Sequence, residues 1–276
     1  MTPGLRDGRT DRRLVALDID GTILREDGTL SDRLRASVRG AVRAGHEVML
    51  ATGRSVATTL PILDALRLTP EYVVCSNGAI TLQRDAGAPY GYRREIVETF
   101  DPSRVLRTIG QALPNGRYAV EDAEGRYRYT AAFPTGAVGM EGEQVDFEGL
   151  LDTAATRVVV VSPDHEMEEF LEVVERMGLH RVSYSVGWTA WLDIAPDGVN
   201  KATAMERVRE RMQVPRERVV AVGDGRNDIE LLQWAGERGA GVAMGHAPQE
   251  VRDAASEVTA AVHDDGAADV LDRLPS

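Results

Sequence analysis

The chain has 276 residues, 43% hydrophobic and 28% charged, an ordinary globular composition with enough apolar material for one large core or two smaller ones. Its formal net charge of -12 argues against a nucleic-acid or anionic-membrane partner, and no apolar run approaches the ~18 residues that would span a membrane. Cys75 is the single cysteine, so an intrachain disulfide is excluded and a reducing, cytoplasmic setting fits.

Residues 1–13 are polar and Gly-rich and read as a loose tail without the apolar core of a signal peptide. Leu14-Val15-Ala16-Leu17 then forms an unbroken apolar run, the pattern of a strand buried on both faces. It ends in Asp18-Ile19-Asp20-Gly21-Thr22. Two carboxylates at the carboxyl end of such a strand fall in the crevice where open α/β sheets bind ligands, and hard oxygen donors there suit Mg2+. Taken alone, the pair also fits turn-forming or helix-capping aspartates, or the metal site of a nucleotide-sugar glycosyltransferase. Gly21 is at the wrong place for an EF-hand loop; it lets the backbone turn sharply, and the Thr22 hydroxyl can hold that turn.

Ile23 to Leu30, with Asp27-Gly28 between short apolar pairs, has the pattern of a hairpin beside the aspartates. Ser31 is placed to cap a helix with Leu34, Val38, Ala41 and Val42 on one face and Gly45 at its end. Val48 to Ala51 is a second strand, ending in Thr52-Gly53-Arg54-Ser55, and a helix to about Leu68 follows. Tyr72 to Cys75 is a third strand, ending in Ser76-Asn77-Gly78-Ala79; Cys75, after two valines, reads as a buried structural thiol. Strands alternating with helices imply right-handed βαβ units and a parallel sheet.

From about Gln83 the texture changes. Tyr127 to Thr130 alternates, Arg157 to Ser162 is an apolar strand, Met167 to Met177 an amphipathic helix, and Arg181 to Val186 and Trp191 to Ala195 two more strands. Half-polar strands point to an antiparallel sheet with one covered face, its tyrosines, Trp188 and Trp191 packing it. The parallel pattern returns with a helix opened by Lys201 and ended by Pro215. The strand Arg218 to Val222 then leads into Gly223-Asp224-Gly225-Arg226-Asn227-Asp228, a helix spans Ile229 to Ala235, and the strand Gly241 to Met244 leads into Gly245-His246-Ala247. Two helices close the sequence. Lys201 is the only lysine among 32 basic residues.

Three strands of one parallel sheet thus end in polar motifs, at Asp18/Asp20, Thr52 and Asp224/Asp228, and their ends share a rim. Several close carboxylates repel one another, so a divalent cation is expected among them. A cation, a lysine and a threonine hydroxyl together favour a phosphoryl substrate, cradled by backbone N–H groups at Thr52-Gly53.

Asp18-Ile19-Asp20-Gly21-Thr22, Thr52-Gly53-Arg54, Lys201 and Gly223 to Asp228 resemble the four motifs of the haloacid dehalogenase-like (HAD) hydrolases. Ser76-Asn77-Gly78-Ala79, Gly198-Val199-Asn200-Lys201, Val242-Ala243-Met244-Gly245 and an insertion between the second and third motifs resemble the Cof-type phosphatases. The resemblance implies an α/β fold, with a Rossmann-like core (residues 14–83 and 193–276) and an inserted α+β cap (84–192). It also implies a nucleophile that becomes phosphorylated, Asp18, a general acid and base, Asp20, and a phosphoryl-binding Thr52. Lys201 would orient nucleophile and phosphoryl group. Mg2+ would be held by Asp18, the Asp20 backbone carbonyl and Asp224, with Asp228 acting through a water or through Lys201. Gly53, Arg54, Asn77 and Asn227 are candidate substrate contacts. His246 stands where family members often carry Asn. The activity implied is hydrolysis of a small phosphorylated metabolite by a monomer or weak homo-oligomer. A phosphomutase with the same motifs, a phospho-accepting receiver and an idle ligand sensor are the rivals.

Overall fold

The computed structural model describes residues 12–133, 142–179, 182–186 and 190–275. Strands β1 (Leu14–Leu17) and β2 (Glu47–Leu50) pair in parallel. Helix α1 (Asp32–Arg43) joins them, capped by Ser31 accepting from the Leu34 N–H and ended at Gly45 in the left-handed region. Helix α2 (Val56–Leu66) then leads to β3 (Tyr72–Cys75), which joins β2 through a parallel bridge at Ala51 and Val74. Strands β4 (Ile80–Arg84) and β5 (Tyr92–Val97) extend this edge antiparallel. Tyr92–Val97 thus lies within the sequence range expected for the insertion, yet it pairs with Ile80–Arg84.

The chain next builds a second layer. Helix α3 (Ser103–Ala112), β6 (Arg117–Glu121), β7 (Tyr127–Tyr129), β8 (Gly142–Gln144), β9 (Arg157–Val161), α4 (Met167–Met177), β10 (Val182–Val186) and β11 (Trp191–Pro196) follow one another. Among the described residues these strands form a six-stranded sheet in the order β10-β11-β9-β6-β7-β8, antiparallel except at β7/β8. One face buries Val120, Val158, Val160, Leu192 and Ile194 against Leu106 and Ile109 of α3 and Phe170 and Val174 of α4. Tyr118 and Tyr127 are buried in this unit, and Trp191 donates its indole N–H to Asp193; Trp188 lies outside the described residues. Strand β10 lies against the core turn Arg226–Asp228, so the unit stands over one end of the core.

Helix α5 (Lys201–Arg211) returns the chain to the core. Strand β12 (Val219–Gly223), α6 (Ile229–Gly236), β13 (Ala240–Ala243), α7 (Gln249–Ala254), β14 (Glu257–Val258) and α8 (Gly266–Asp272) complete it. The parallel order is β14-β13-β12-β1-β2. Alternate residues of each strand enter opposite cores, which explains the unbroken apolar runs. Val15, Leu17, Val48, Leu50, Val220 and Val222 pack under α1, α2 and α8, while Leu14, Ala16, Met49, Val219, Ala221 and Ala243 pack against α5, α6 and α7. The fold is therefore an α/β core with an inserted α+β unit.

Two local expectations are corrected. The stretch after Thr22 is a turn rather than a pair of strands: it closes by Arg25 N–H to Thr29 O at 3.0 Å and by a single bridge of Leu24 to Asp20. The Asp27 carboxylate accepts from the Thr29 N–H two residues on and stabilises the turn locally. Val42 is 45% exposed, because the buried face of α1 runs through Leu34, Val38 and Ala41 and position 42 lies just past its edge.

Candidate active site

The rim is aligned by the sheet's own ladder, carried one step past the strands. The Asp18 N–H donates to Val222 O, Ala51 N–H to Leu17 O, Thr52 N–H to Val74 O and Met244 N–H to Gly223 O, all at 2.9–3.0 Å. Each polar motif therefore leaves the sheet at the same level, although Asp18 and Asp224 are far apart in sequence.

The Lys201 ammonium is fully buried and lies 2.7 Å from both Asp18 Oδ1 and Asp228 Oδ1. Asn200 caps its helix, accepting from the Thr203 N–H while its own N–H donates to the Thr203 hydroxyl, so the lysine issues from a fixed first turn. Burial would lower the ammonium's pKa, but Asp18 and Asp228 outweigh it and hold the value above the ordinary lysine range. The second Asp228 oxygen accepts from the N–H groups of Asp224 and Gly225 at 3.1 and 3.0 Å, so both of its oxygens are engaged. Asp224 Oδ1 accepts from the Thr22 hydroxyl at 2.7 Å. Oxygens of Asp18, Asp224 and Asp228 lie within 4.8 Å of one another, all buried. Burial, reinforced by the neighbouring acids and only partly offset by Lys201, holds the Asp18 carboxyl well above the usual carboxylate range. Burial also raises Asp224, against the pull of His246 and Thr22. Such a set of desolvated, mutually repelling oxygens is a fit site for a hard divalent cation.

Glycines fix the approach. Gly21 has φ +75°, and a Cβ there would sit 2.2 Å from Asp224 Oδ2; a Cβ on Gly223 would sit 2.4 Å from Asp228 Cγ. The hydrogen bonds that close the Gly21 turn use the Ile19 and Leu24 carbonyls as acceptors.

The Asp20 side chain stands apart from this cluster. Both of its oxygens accept from Arg54, Oδ2 from Nε at 2.8 Å and Oδ1 from Nη2 at 2.5 Å, and it is more than half exposed. The Thr52 hydroxyl oxygen accepts the Arg54 N–H at 3.1 Å, which leaves its own proton free to point elsewhere. Asn227 Nδ2 donates to Asn77 Oδ1 at 2.9 Å, and both amides close over Gly53, where a Cβ would meet them at 2.9–3.2 Å. His246 accepts the Val262 N–H on Nδ1 and so turns Nε2 toward Asp224 Oδ2, 3.7 Å away.

The structure thus gathers Asp18, Lys201, Asp224 and Asp228 into one buried network; Asp20 and Thr52 are joined through Arg54, and Asn77 and Asn227 join over Gly53. Two contacts lie beyond the sequence reading. Thr22 reads there only as a turn residue, although a hydroxyl straight after Asp-Gly is the available signal for its bond to Asp224. Ser76 donates to the buried Glu121 of β6 at 2.9 Å, a pairing across 45 residues with no sequence signal at all.

Residues 15–271 match the family model of the haloacid dehalogenase-like hydrolases. The chain belongs to that family. It is an enzyme of the HAD-like hydrolases, and the match takes in nearly all of the core and the inserted unit. Among curated relatives it is similar to the 5-amino-6-(5-phospho-D-ribitylamino)uracil phosphatase YitU of Bacillus subtilis, 26% identical over 94% of this chain and 96% of that one. It is similar also to a phosphoglycolate phosphatase of Natronomonas pharaonis, 29% identical over 94% of this chain and 96% of that one. Among solved structures, the HAD subclass IIB sugar phosphatase BT4131 shares the fold with a TM-score of 0.77 at 19% identity, over 94% of this chain and 98% of that one.

Proposed function

We propose that this HAD-like hydrolase is a Mg2+-dependent phosphatase of small phosphate monoesters, such as sugar or polyol phosphates or a phosphorylated cofactor, working in the cytoplasm through an aspartyl-phosphate on Asp18. One observation carries the reading: Lys201 lies between Asp18 and Asp228 with no access to solvent. A buried ammonium that spends one proton on Asp18 Oδ1 leaves Oδ2 to attack phosphorus, and its charge faces the phosphoryl oxygens that come with it.

Mg2+, held by Asp18, Asp224 and the Asp20 carbonyl, would neutralise phosphoryl charge and keep Asp18 ionised. The remaining roles belong to the chain. The Thr52 proton left free by the Arg54 N–H donates to a phosphoryl oxygen, and Asn77 and Asn227 close the same side over Gly53. In the first half-reaction Asp20 gives a proton to the leaving alcohol; in the second it takes one from water, which attacks phosphorus and frees Asp18. With both oxygens on Arg54, Asp20 is acceptor-only. A proton donor needs one oxygen released and protonated, so Arg54 turns from Asp20 to the substrate as the phosphoryl group arrives, and the freed Asp20 oxygen takes from solvent the proton it passes to the leaving alcohol. Asp228, with both oxygens engaged, serves by anchoring Lys201 and the 223–228 turn. The six-stranded unit acts as the cap, excluding water and selecting the substrate.

The test is phosphate release from a panel of phosphorylated metabolites. Activity on small monoesters, abolished by EDTA and restored by Mg2+ but poorly by Ca2+, is the expected result. Full activity in metal-stripped protein would overturn the metal, and phosphate returned to a sugar bisphosphate rather than to water would make the enzyme a mutase.

A further inference from the structure

The turn after β3 is held in an unusual shape. Ser76 and Asn77 have φ of 48° and 52°, and Gly78 follows at 100°. Left-handed backbone presses the β-carbon of an L-residue toward its following carbonyl, so two such non-glycine residues in succession persist only where the surroundings impose them. Here they do. The Ser76 N–H donates to Arg54 O at 2.8 Å and the Asn77 N–H to Thr52 O at 3.1 Å. The Asn77 amide is taken by Asn227. Gly78 is pressed against Asn200, the residue that caps the Lys201 helix, where a Cβ would sit 2.3 Å from the carbonyl oxygen. This turn therefore touches the second, third and fourth motifs at once.

One further bond comes from the other unit. The Ser76 hydroxyl donates to Glu121 Oε2 at 2.9 Å. Glu121 is the last residue of β6 and is fully buried. Its backbone is fixed by Thr156, whose N–H and hydroxyl both donate to the Glu121 carbonyl. Burial pushes the Glu121 carboxyl upward, while the Arg157 guanidinium and then the Ser76 hydroxyl pull it back. Arg157 is itself forked onto Asp193, so it is not free to follow Glu121. A desolvated carboxylate is a costly way to hold a serine unless the place of that serine matters.

We infer that Glu121 is a positioning residue for phosphate: through the Ser76 hydroxyl it holds the Ser76–Asn77 turn left-handed, and the turn holds the Asn77 amide and the Thr52 loop where the phosphoryl group docks. The inference rests on the proposed phosphatase reading and adds a dependence of phosphate binding on a residue outside the core. It acts before chemistry, in the ground state as much as in the transition state, so its loss falls on KM and leaves kcat.

The experiment compares Ser76→Ala, Ser76→Gly, Glu121→Ala, Glu121→Gln and the Ser76→Ala/Glu121→Ala double variant. It reads kcat and KM for p-nitrophenyl phosphate release, and inorganic phosphate binding by calorimetry. Ser76→Ala and Glu121→Ala should each weaken phosphate and raise KM about 10-fold, the scale of one hydrogen bond to a charged group, with kcat within about 2-fold. The double variant should be no worse than either single, because one bond is lost. Glu121→Gln, whose amide oxygen accepts the same bond without the charge, should fall between wild type and Glu121→Ala. Ser76→Gly, at ease in the left-handed region, should be milder than Ser76→Ala. Should Glu121→Ala not fold, the serine variants and Glu121→Gln carry the comparison. Unchanged phosphate binding in Ser76→Ala, additive losses, or a Glu121→Gln as weak as Glu121→Ala would each overturn the inference while the phosphatase reading stands. A wild type that neither binds phosphate nor releases it from any ester would overturn both.

Discussion

Lys201→Arg is the perturbation that separates charge from shape at the centre of the site. The ammonium sits 2.7 Å from two carboxylates in a space with no solvent access. Removing the charge, as in Lys201→Ala, leaves Asp18 and Asp228 facing each other unpaired, a loss on the order of 3–5 kcal/mol for a broken buried pair. Arginine avoids that loss. It brings instead a planar fork in place of a point charge, and the fork has to fit between acceptors set for a single atom. Overpacking of this kind costs about 1–3 kcal/mol, which a domain of this size survives. On the proposed mechanism the catalytic effect is larger than the structural one, because a shift of the proposed nucleophile Asp18 by ~1 Å costs about 10²-fold. Lys201→Arg should therefore fold and lose at least ~10²-fold in kcat, and Lys201→Ala should lose phosphate binding as well. The wild-type ammonium stays charged throughout: its pKa is raised, so the stability it contributes is complete below the ordinary lysine value and is lost only as pH climbs through the raised one. Steady-state kinetics on the best substrate, with circular dichroism for folding, is the assay. An arginine enzyme within a few-fold of wild type would refute the reasoning and leave charge as the lysine's whole contribution.

Two further outcomes follow from the rim. Asp20→Asn keeps the backbone carbonyl but loses the proton shuttle, so kcat should fall about 10²–10⁴-fold on alkyl phosphates; burst kinetics of alcohol release should show a smaller deficit for aryl phosphates, whose leaving groups need no proton, and an equal loss on both classes would dismiss the general-acid role. Gly21→Ala strains a left-handed residue by about 1–2 kcal/mol and drives a Cβ to 2.2 Å from Asp224 Oδ2; activity should fall and the Mg2+ requirement rise, measured as the concentration giving half-maximal rate, whereas an unchanged requirement would mean that Asp224 does not depend on that glycine.

The core was legible because its strands are buried on both faces. Leu14 to Leu17 has no polar residue to interrupt it, and the acids that follow mark where the sheet stops. Helix α4 was legible to its termini for a related reason: Phe170 and Val174 repeat at helical spacing, and Gly178 ends the helix in the left-handed region. Val42 and the stretch after Thr22 were misread where periodicity or turn chemistry leaves two outcomes close in energy. Partner choice was the least legible layer. Arg54 has the same sequence surroundings whether it points to solvent, to substrate or to Asp20, and only the placement of two loops 34 residues apart decides it. Glu121 falls in a stretch to which the sequence pattern assigns no strand, and that it is fully buried on Ser76 depends on how the two units meet.

The electrostatics of the buried network explain why one lysine serves three acids. Asp18, Asp224 and Asp228 carry three negative charges if all are ionised, and Lys201 supplies one positive charge. Two negative charges remain, which a divalent cation cancels and a second lysine would not. The hydrogen bonds then divide the acids. Asp228 spends both oxygens, on Lys201 and on the N–H groups of Asp224 and Gly225, and is the anchor. Asp224 spends one oxygen on Thr22 and turns the other toward His246 and the Gly21 turn. Asp18 spends one on Lys201. The oxygens left over belong to the two residues proposed to meet cation and phosphorus, and that allocation is complete before any substrate arrives. A site arranged in this way spends little reorganisation during the reaction itself, which is the condition under which fixed charges contribute most to rate.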